Sequence, residues 1–248
     1  MAELRRLLIA PDRLQDKTDV QLSSEEQHYL RRVLRLRLGD QVALVDGVGQ
    51  MWIAELQAQG MLRRDQRPTV IEARPWPRLG LALALVRRGF EDGLRMACEL
   101  GVDVFQPLRC DRCVPQAEHR PERWQTVLNE AVEQCERLWT PKLEATASLH
   151  GWLASVDAPL AVGKTREQQT QPLHQWLDRL SITESSAMLW LVIGPEGGWT
   201  NAEDNLLRDS GATDIDLGRT ILRSATAAVA GSAELVRWRD AYEYLFRT

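Results

Sequence analysis

No stretch of this 248-residue chain approaches the roughly 18 consecutive apolar residues that a membrane-spanning helix requires. The longest apolar runs, Leu79–Val86 and Met188–Ile193, have the length of strands. A signal-peptide layout is missing too, because the apolar piece near the start is only Leu7–Ala10. The expectation is a cytoplasmic protein with no membrane partner. Cysteine is scarce, with four in the chain, and a chain of this length does not depend on disulfides. Two of them form Cys110-Asp-Arg-Cys113, the spacing of a zinc or redox pair. A second such pair and a His-x-x-x-His are both absent, and His119 and His150 are isolated. Ordinary, partly buried thiols and no metal are therefore expected. Charge of one sign is also lacking. The net charge is −4, which by itself speaks weakly against nucleic acid.

What is present is ordinary globular composition, 44% hydrophobic and 27% charged, which excludes a disordered or fibrous chain. The length allows one large domain or two small ones. The distribution of charge says more than the sum. Residues 1–75 carry 12 Lys and Arg against 11 Asp and Glu, a balance of +1, so the remainder is −5. Arg31, Arg32, Arg35 and Arg37 fall within seven positions of that first segment and form a local basic patch.

The pattern changes at Arg74-Pro-Trp-Pro-Arg78, where two prolines in three residues stiffen the chain. Before it lie short strand-like pieces, Gln41–Asp46, Trp52–Ala58 and Thr69–Ala73, separated by glycine turns. Ser23-Ser-Glu-Glu26 forms a capping box, and apolar residues at helical spacing predict a helix over His28–Leu38. A β-barrel-like domain over residues 1–74 and a second domain over residues 75–248 are expected. In the second, strand-like and helix-like segments alternate. The strands are Leu79–Val86, Val102–Pro107, Pro159–Val162, Met188–Ile193 and Thr213–Leu217. The helices are Gly93–Leu100, Arg120–Trp139, Leu173–Leu180, Ala202–Ser210 and Ser224–Phe246. Such alternation predicts an α/β fold with a mostly parallel sheet, whose ligands sit beyond the carboxyl ends of the strands.

Two loops stand at those ends. Ile193-Gly-Pro-Glu-Gly-Gly-Trp199 places three glycines in five positions, followed by a second capping box, Thr200-Asn-Ala-Glu203. The glycines allow a ligand to approach the main chain closely. The spacing is neither that of a P-loop nor GxGxxG. A tight strand-to-helix turn that binds nothing is the alternative. The second loop, Leu217-Gly-Arg-Thr-Ile-Leu-Arg-Ser224, runs into a segment made mostly of Ala and Gly, Ala225–Ala233. Ile221 and Leu222 could line a pocket while Arg223 faces a reacting or phosphate group; a salt bridge or a subunit contact is the other reading of Arg223.

The pair IGPEGGWTNAE and LGRTILRSATAA resembles the C-terminal signature of the SPOUT methyltransferases, and within them the bacterial 16S rRNA uracil-N3 methyltransferases. His28–Arg35 (HYLRRVLR), Glu99-Leu-Gly-Val102 and Glu133–Arg137 followed by Pro141 resemble further motifs of that family, in the same order. The resemblance implies a PUA-like RNA-binding barrel and a SPOUT domain closed by a trefoil knot. It also implies S-adenosylmethionine as cofactor, ribosomal RNA or the small ribosomal subunit as substrate, and a homodimer. Carried over by residue, the cofactor would meet Val162 and Gly163, Ile193, Gly194, Pro195, Glu196, Gly197 and Gly198, and Leu217, Gly218, Ile221, Leu222 and Arg223. RNA phosphates would meet Arg5, Arg31, Arg32 and Arg35. Two positions depart from the family pattern: Ala225 replaces a usual Glu, and Arg95 a usual Lys.

Methyl transfer from a sulfonium needs alignment and exclusion of water more than covalent help. A uracil N3 must lose its proton, so a cation beside the uracil oxygens would stabilise the developing anion. Arg223 is the candidate catalytic residue, and Glu196 or a water the candidate base. A methyltransferase of this superfamily acting on another base and a non-enzymatic RNA-binding assembly factor are the alternatives.

Overall fold

A computed structural model describes residues 4–14, 18–114, 119–165, 170–181 and 188–246. The chain divides into two compact units, Met1–Arg74 with Asn129–Thr140, and Pro75–Leu128 with Pro141–Thr248.

The first unit is a six-stranded sheet built from β1 (Arg6–Leu8), β2 (Asp19–Gln21), β3 (Gln41–Val45), β4 (Gln50–Leu56), β5 (Met61–Arg64) and β6 (Val70–Ile71). The strands run in the order β1-β3-β4-β5-β2, with β6 also on β4; β1 lies parallel to β3 and the other pairs are antiparallel. Its core gathers Leu7, Ile9, Val20, Leu30, Val42, Leu44, Leu56 and Leu62. Helix α1 (Ser24–His28) starts at the expected capping box, with the Ser23 hydroxyl and the Glu26 carboxylate each accepting the other's backbone N–H. The helix expected to continue to Leu38 does not. It widens into a π turn over Tyr29–Val33, closed by Leu34 N–H to Tyr29 O at 3.0 Å. Arg35 then takes a φ of 58°. The reason lies in Leu34-Arg-Leu-Arg37. Leu34 and Leu36 both pack on the core, and a continued helix would turn residues two apart to different faces, so the chain leaves the helix with a positive φ at Arg35.

The second unit is an all-parallel sheet. Its strands are β7 (Arg78–Ala84), β8 (Val104–Arg109), β9 (Lys142–Leu143), β10 (Ala147–Ser148), β11 (Leu160–Gly163), β12 (Gln171–Pro172), β13 (Met188–Ile193) and β14 (Thr213–Asp216). They lie in the order β10-β8-β7-β13-β11-β14-β12, with β9 also on β8. The helices are α2 (Phe90–Leu100), α3 (Pro121–Gln134, whose residues from Asn129 belong to the first unit), α4 (Leu149–Leu153), α5 (Leu173–Asp178), α6 (Asn201–Asp209) and α7 (Ser224–Phe246). Burial on both faces explains the unbroken apolar runs of the central strands: Leu79, Leu81 and Leu83 of β7 and Leu189 and Leu191 of β13 are buried. Gly80 sits opposite Trp190, and a Cβ there would lie 2.3 Å from the indole. Gly231 lets α7 press onto β13, since a Cβ would lie 2.4 Å from Leu191. A buried Arg239–Asp103 pair at 2.6 Å, completed by Leu79 N–H to the same carboxylate, fixes α7 against the start of β7.

The expected helix over Arg120–Trp139 stops at Gln134. Glu136 has a φ of 66°, and the segment after it, itself part of the first unit, pairs there through Gly49 N–H to Leu138 O and Thr140 N–H to Gly47 O. Those bonds require extended backbone, which overrides the helical pattern of the sequence. Among the described residues no helix is long and apolar enough to cross a membrane.

Candidate active site

Strands β13, β11 and β14 are neighbours and parallel, so the three loops that leave their carboxyl ends open side by side. The glycine loop after β13 is heavily braced. Gly198 N–H bonds to Pro195 O at 2.9 Å, and Gly198 has a φ of 70°. Gly194 is covered by Trp199, so that a Cβ there would lie 2.7 Å from the indole ring. Thr200 caps α6 reciprocally with Glu203, as the second capping box predicts. Glu203 is buried because its other oxygen accepts Asp111 N–H at 2.9 Å. The Ser224 hydroxyl, at the start of α7, donates to Gly194 O at 2.8 Å and ties the second loop to the first.

The second loop is built more loosely. Asp216 accepts Gly218 N–H at 3.1 Å, Gly218 has a φ of 116°, and a Cβ at that glycine would meet nothing within 4 Å. Arg219, Thr220, Ile221 and Arg223 are exposed. After β11, Lys164 turns inward. Its side chain is 6% exposed and its ammonium pairs with Asp204 and, at 3.7 Å, with Asp214.

Together these loops enclose a cavity of about 1090 Å³, large enough for a nucleoside-sized ligand. Of the sequence-predicted cofactor residues, Gly163, Ile193, Gly194, Pro195, Glu196, Gly198, Leu217, Gly218, Ile221, Leu222 and Arg223 line it. Two do not. Val162 is buried in the core beneath the sheet, and Gly197 faces Arg112, where a Cβ would lie 3.1 Å from the arginine Cβ. A second cavity, of about 720 Å³, lies between the starts of α2 and α7. Arg87, Arg88, Asp92 and Met96 form one side, and Ala225, Thr226, Val229 and Ala230 the other. Glu196 and Arg223 line both cavities. Sequence reasoning missed this second chamber, along with Lys164, Asp204 and Asp216 in the first. Their one sequence signal is position: each lies within a residue or a turn of a loop already singled out.

The RNA candidates Arg5, Arg31, Arg32 and Arg35 are all in the first unit and exposed. None of them forms an ion pair with a described residue. None of them is among the residues that line either cavity.

A ligand-sized cleft at the strand ends, flanked by two glycine-bearing loops on an all-parallel sheet, defines the class: an α/β protein with a site beyond the carboxyl ends of its strands. Residues 74–235 match the family model of an RNA methyltransferase domain, and residues 22–60 that of an RNA methyltransferase PUA domain. The chain belongs to the ribosomal RNA small subunit methyltransferase E family. The relative from Synechocystis is 35% identical over 93% of this chain and 76% of its own length. The one from Rickettsia conorii is 28% identical over 90% and 91%. A methyltransferase from Legionella pneumophila, solved in complex with S-adenosylmethionine, has the same fold, with a TM-score of 0.80 and 23% identity over 95% of this chain and 98% of its own. So does the Neisseria gonorrhoeae member bound to S-adenosylmethionine, at 0.78 and 24% over 94% and 97%.

Proposed function

We propose that this protein transfers the methyl group of S-adenosylmethionine to N3 of a uridine in small-subunit ribosomal RNA. The observation that carries the reading is that two cavities meet at Glu196 and Arg223. One chamber suits the nucleoside, the other the target base, and the shared wall is where a methyl group would pass.

The residues present fit that cofactor. Gly163, Gly194, Gly198 and Gly218 leave main-chain groups open to adenine and ribose, and Ile193, Leu217, Ile221 and Leu222 supply apolar contact. Asp204 and Asp216 place carboxylates at the edge of the same cavity. When bound, S-adenosylmethionine supplies a methyl group activated by a sulfonium. In the second chamber Arg223 stabilises the negative charge that develops on the uracil oxygens as the N3 proton leaves. Glu196, on the same wall, accepts that proton. Arg87 and Arg88 rim the chamber, where the phosphates beside a turned-out nucleotide would lie. Arg5, Arg31, Arg32 and Arg35 of the first unit bind RNA phosphates. A homodimer and a trefoil knot in the second unit complete this reading.

The test is methylation of small ribosomal subunits that lack the modification, followed by mass spectrometry of the digested RNA. Product as 3-methyluridine is expected; a methyl on carbon, on ribose or on another base would overturn it. Ala225 on the wall of the second chamber, where the family usually has Glu, favours one other reading, a different target base. The same mapping decides between the two.

A further inference from the structure

We propose that Arg112, a residue outside both cavities, is a positioning residue that sets the glycine loop in the shape the cofactor requires. The proposal rests on the assignment of the larger cavity to S-adenosylmethionine. Arg112 lies in the Cys110–Cys113 turn, just past β8. The turn is tight and anchored: Cys113 N–H bonds to Cys110 O at 3.1 Å, and Cys110 N–H to Cys113 Sγ at 3.3 Å. Cys110 is buried in the same core cluster as Trp199.

From this anchored turn the Arg112 guanidinium reaches the loop and donates to two of its carbonyls, Gly197 O at 3.1 Å and Trp199 O at 2.9 Å. The neighbouring residue grips the next element. Asp111 N–H bonds to Glu203, and its carboxylate accepts the Thr200 hydroxyl at 3.3 Å. The contact at Gly197 is close to main chain, since a Cβ there would lie 3.1 Å from Arg112 Cβ and 3.3 Å from Arg112 O. A side chain at Gly197 would therefore crowd the brace and not the cavity. On the other side, Ser224 holds Gly194 O. A loop with glycines at 194, 197 and 198 has many accessible conformations, and a ligand that must order it loses affinity. One guanidinium nitrogen, Nη1, donating to both the Gly197 and the Trp199 carbonyl removes that freedom before the ligand arrives. This gives the Cys-Asp-Arg-Cys motif a role that is neither metal binding nor redox.

The experiment is calorimetric titration of S-adenosylmethionine into the full chain and into Arg112→Ala, Arg112→Gln and Arg112→Lys. Steady-state methylation and the melting temperature of the unliganded proteins accompany it. Arg112→Ala should raise Kd and KM for the cofactor about ten-fold, the weight of a charge-assisted pair of hydrogen bonds. Turnover at saturating cofactor and the unliganded melting temperature should stay close to the parent's. Arg112→Lys should recover part of the affinity, because it keeps the charge and a nitrogen with several donors but not the guanidinium's reach and fixed orientation. Arg112→Gln carries the test where alanine does not fold, and its Kd should rise several-fold. An alanine or glutamine variant with the parent's Kd overturns the proposal. So does a matched loss of turnover and melting temperature at unchanged KM. A parent that binds no cofactor overturns the assignment of the cavity itself, and that result is read before any variant is compared.

Discussion

The two units carry their arginines differently. In the first, Arg31, Arg32 and Arg35 stand in the open on a π turn and the irregular backbone just after it. In the second, Arg223 lines two cavities at once, and Arg87 and Arg88 line the smaller. Charge on an open surface attracts a polyanion over a Debye length and is weakened by salt. Charge beside a cavity, although these arginines are exposed too, is aimed at one group of a bound molecule. The contrast implies that affinity for RNA and chemistry on the base are separable properties, held by different residues.

The sharpest way to break that separation is Arg223→Ala. Turnover should fall by about 100- to 1000-fold, the usual cost of losing a donor that stabilises an oxyanion. Affinity for S-adenosylmethionine should change only several-fold in calorimetry, and RNA affinity little. Unchanged turnover would remove Arg223 from the chemistry.

Next comes Gly194→Val, whose side chain would run into the Trp199 indole. Cofactor affinity should drop by more than about ten-fold while RNA binding stays intact. Gly197→Val should do less, because it crowds Arg112 and not the cavity.

The converse variant changes Arg31, Arg32 and Arg35 together to alanine. RNA binding should weaken, and the slope of log K against log salt should flatten by about 2, with cofactor affinity untouched. A slope equal to the parent's would place the RNA path elsewhere.

The smallest effect concerns the first unit alone. Burial pushes the Glu133 carboxyl up to about 7, against the pull of the Leu8 N–H that it accepts at 2.8 Å, with Glu130 and Glu26 adding to the rise. A carboxyl raised on folding contributes stability that is complete below its ordinary value of 4.5 and is lost as pH rises through about 7. Glu133→Gln should therefore raise the melting temperature at pH 8 and change it little at pH 5, by on the order of 1–2 kcal/mol in stability. Equal shifts at both pH values would contradict the assignment.

The parallel sheet was legible because its central strands are buried on both faces and read as unbroken apolar runs. Met188–Ile193 and Ser224–Phe246 have the bounds expected from the sequence. Both capping boxes formed, since they depend on local spacing alone. The failures lie where long-range bonds outweigh local pattern. Leu34 and Leu36 had to face one core, and Leu138 and Thr140 had to pair with Gly49 and Gly47. The two-residue strands at Lys142–Leu143, Ala147–Ser148 and Gln171–Pro172 are too short to leave a periodicity. The glycine loops announced the larger cavity. The smaller one, assembled from residues more than a hundred positions apart at Arg88 and Thr226, left no contiguous signal. Nor did the grip of Arg112 on Gly197, which joins residues 85 positions apart.

The most direct measurement is the electron density of S-adenosylhomocysteine in crystals of this protein. The nucleoside should lie between Gly194–Gly198 and Leu217–Leu222, with its sulfur turned toward Glu196, Arg223 and the smaller chamber. A nucleoside bound elsewhere, or one whose sulfur faces away from that shared wall, would contradict the account.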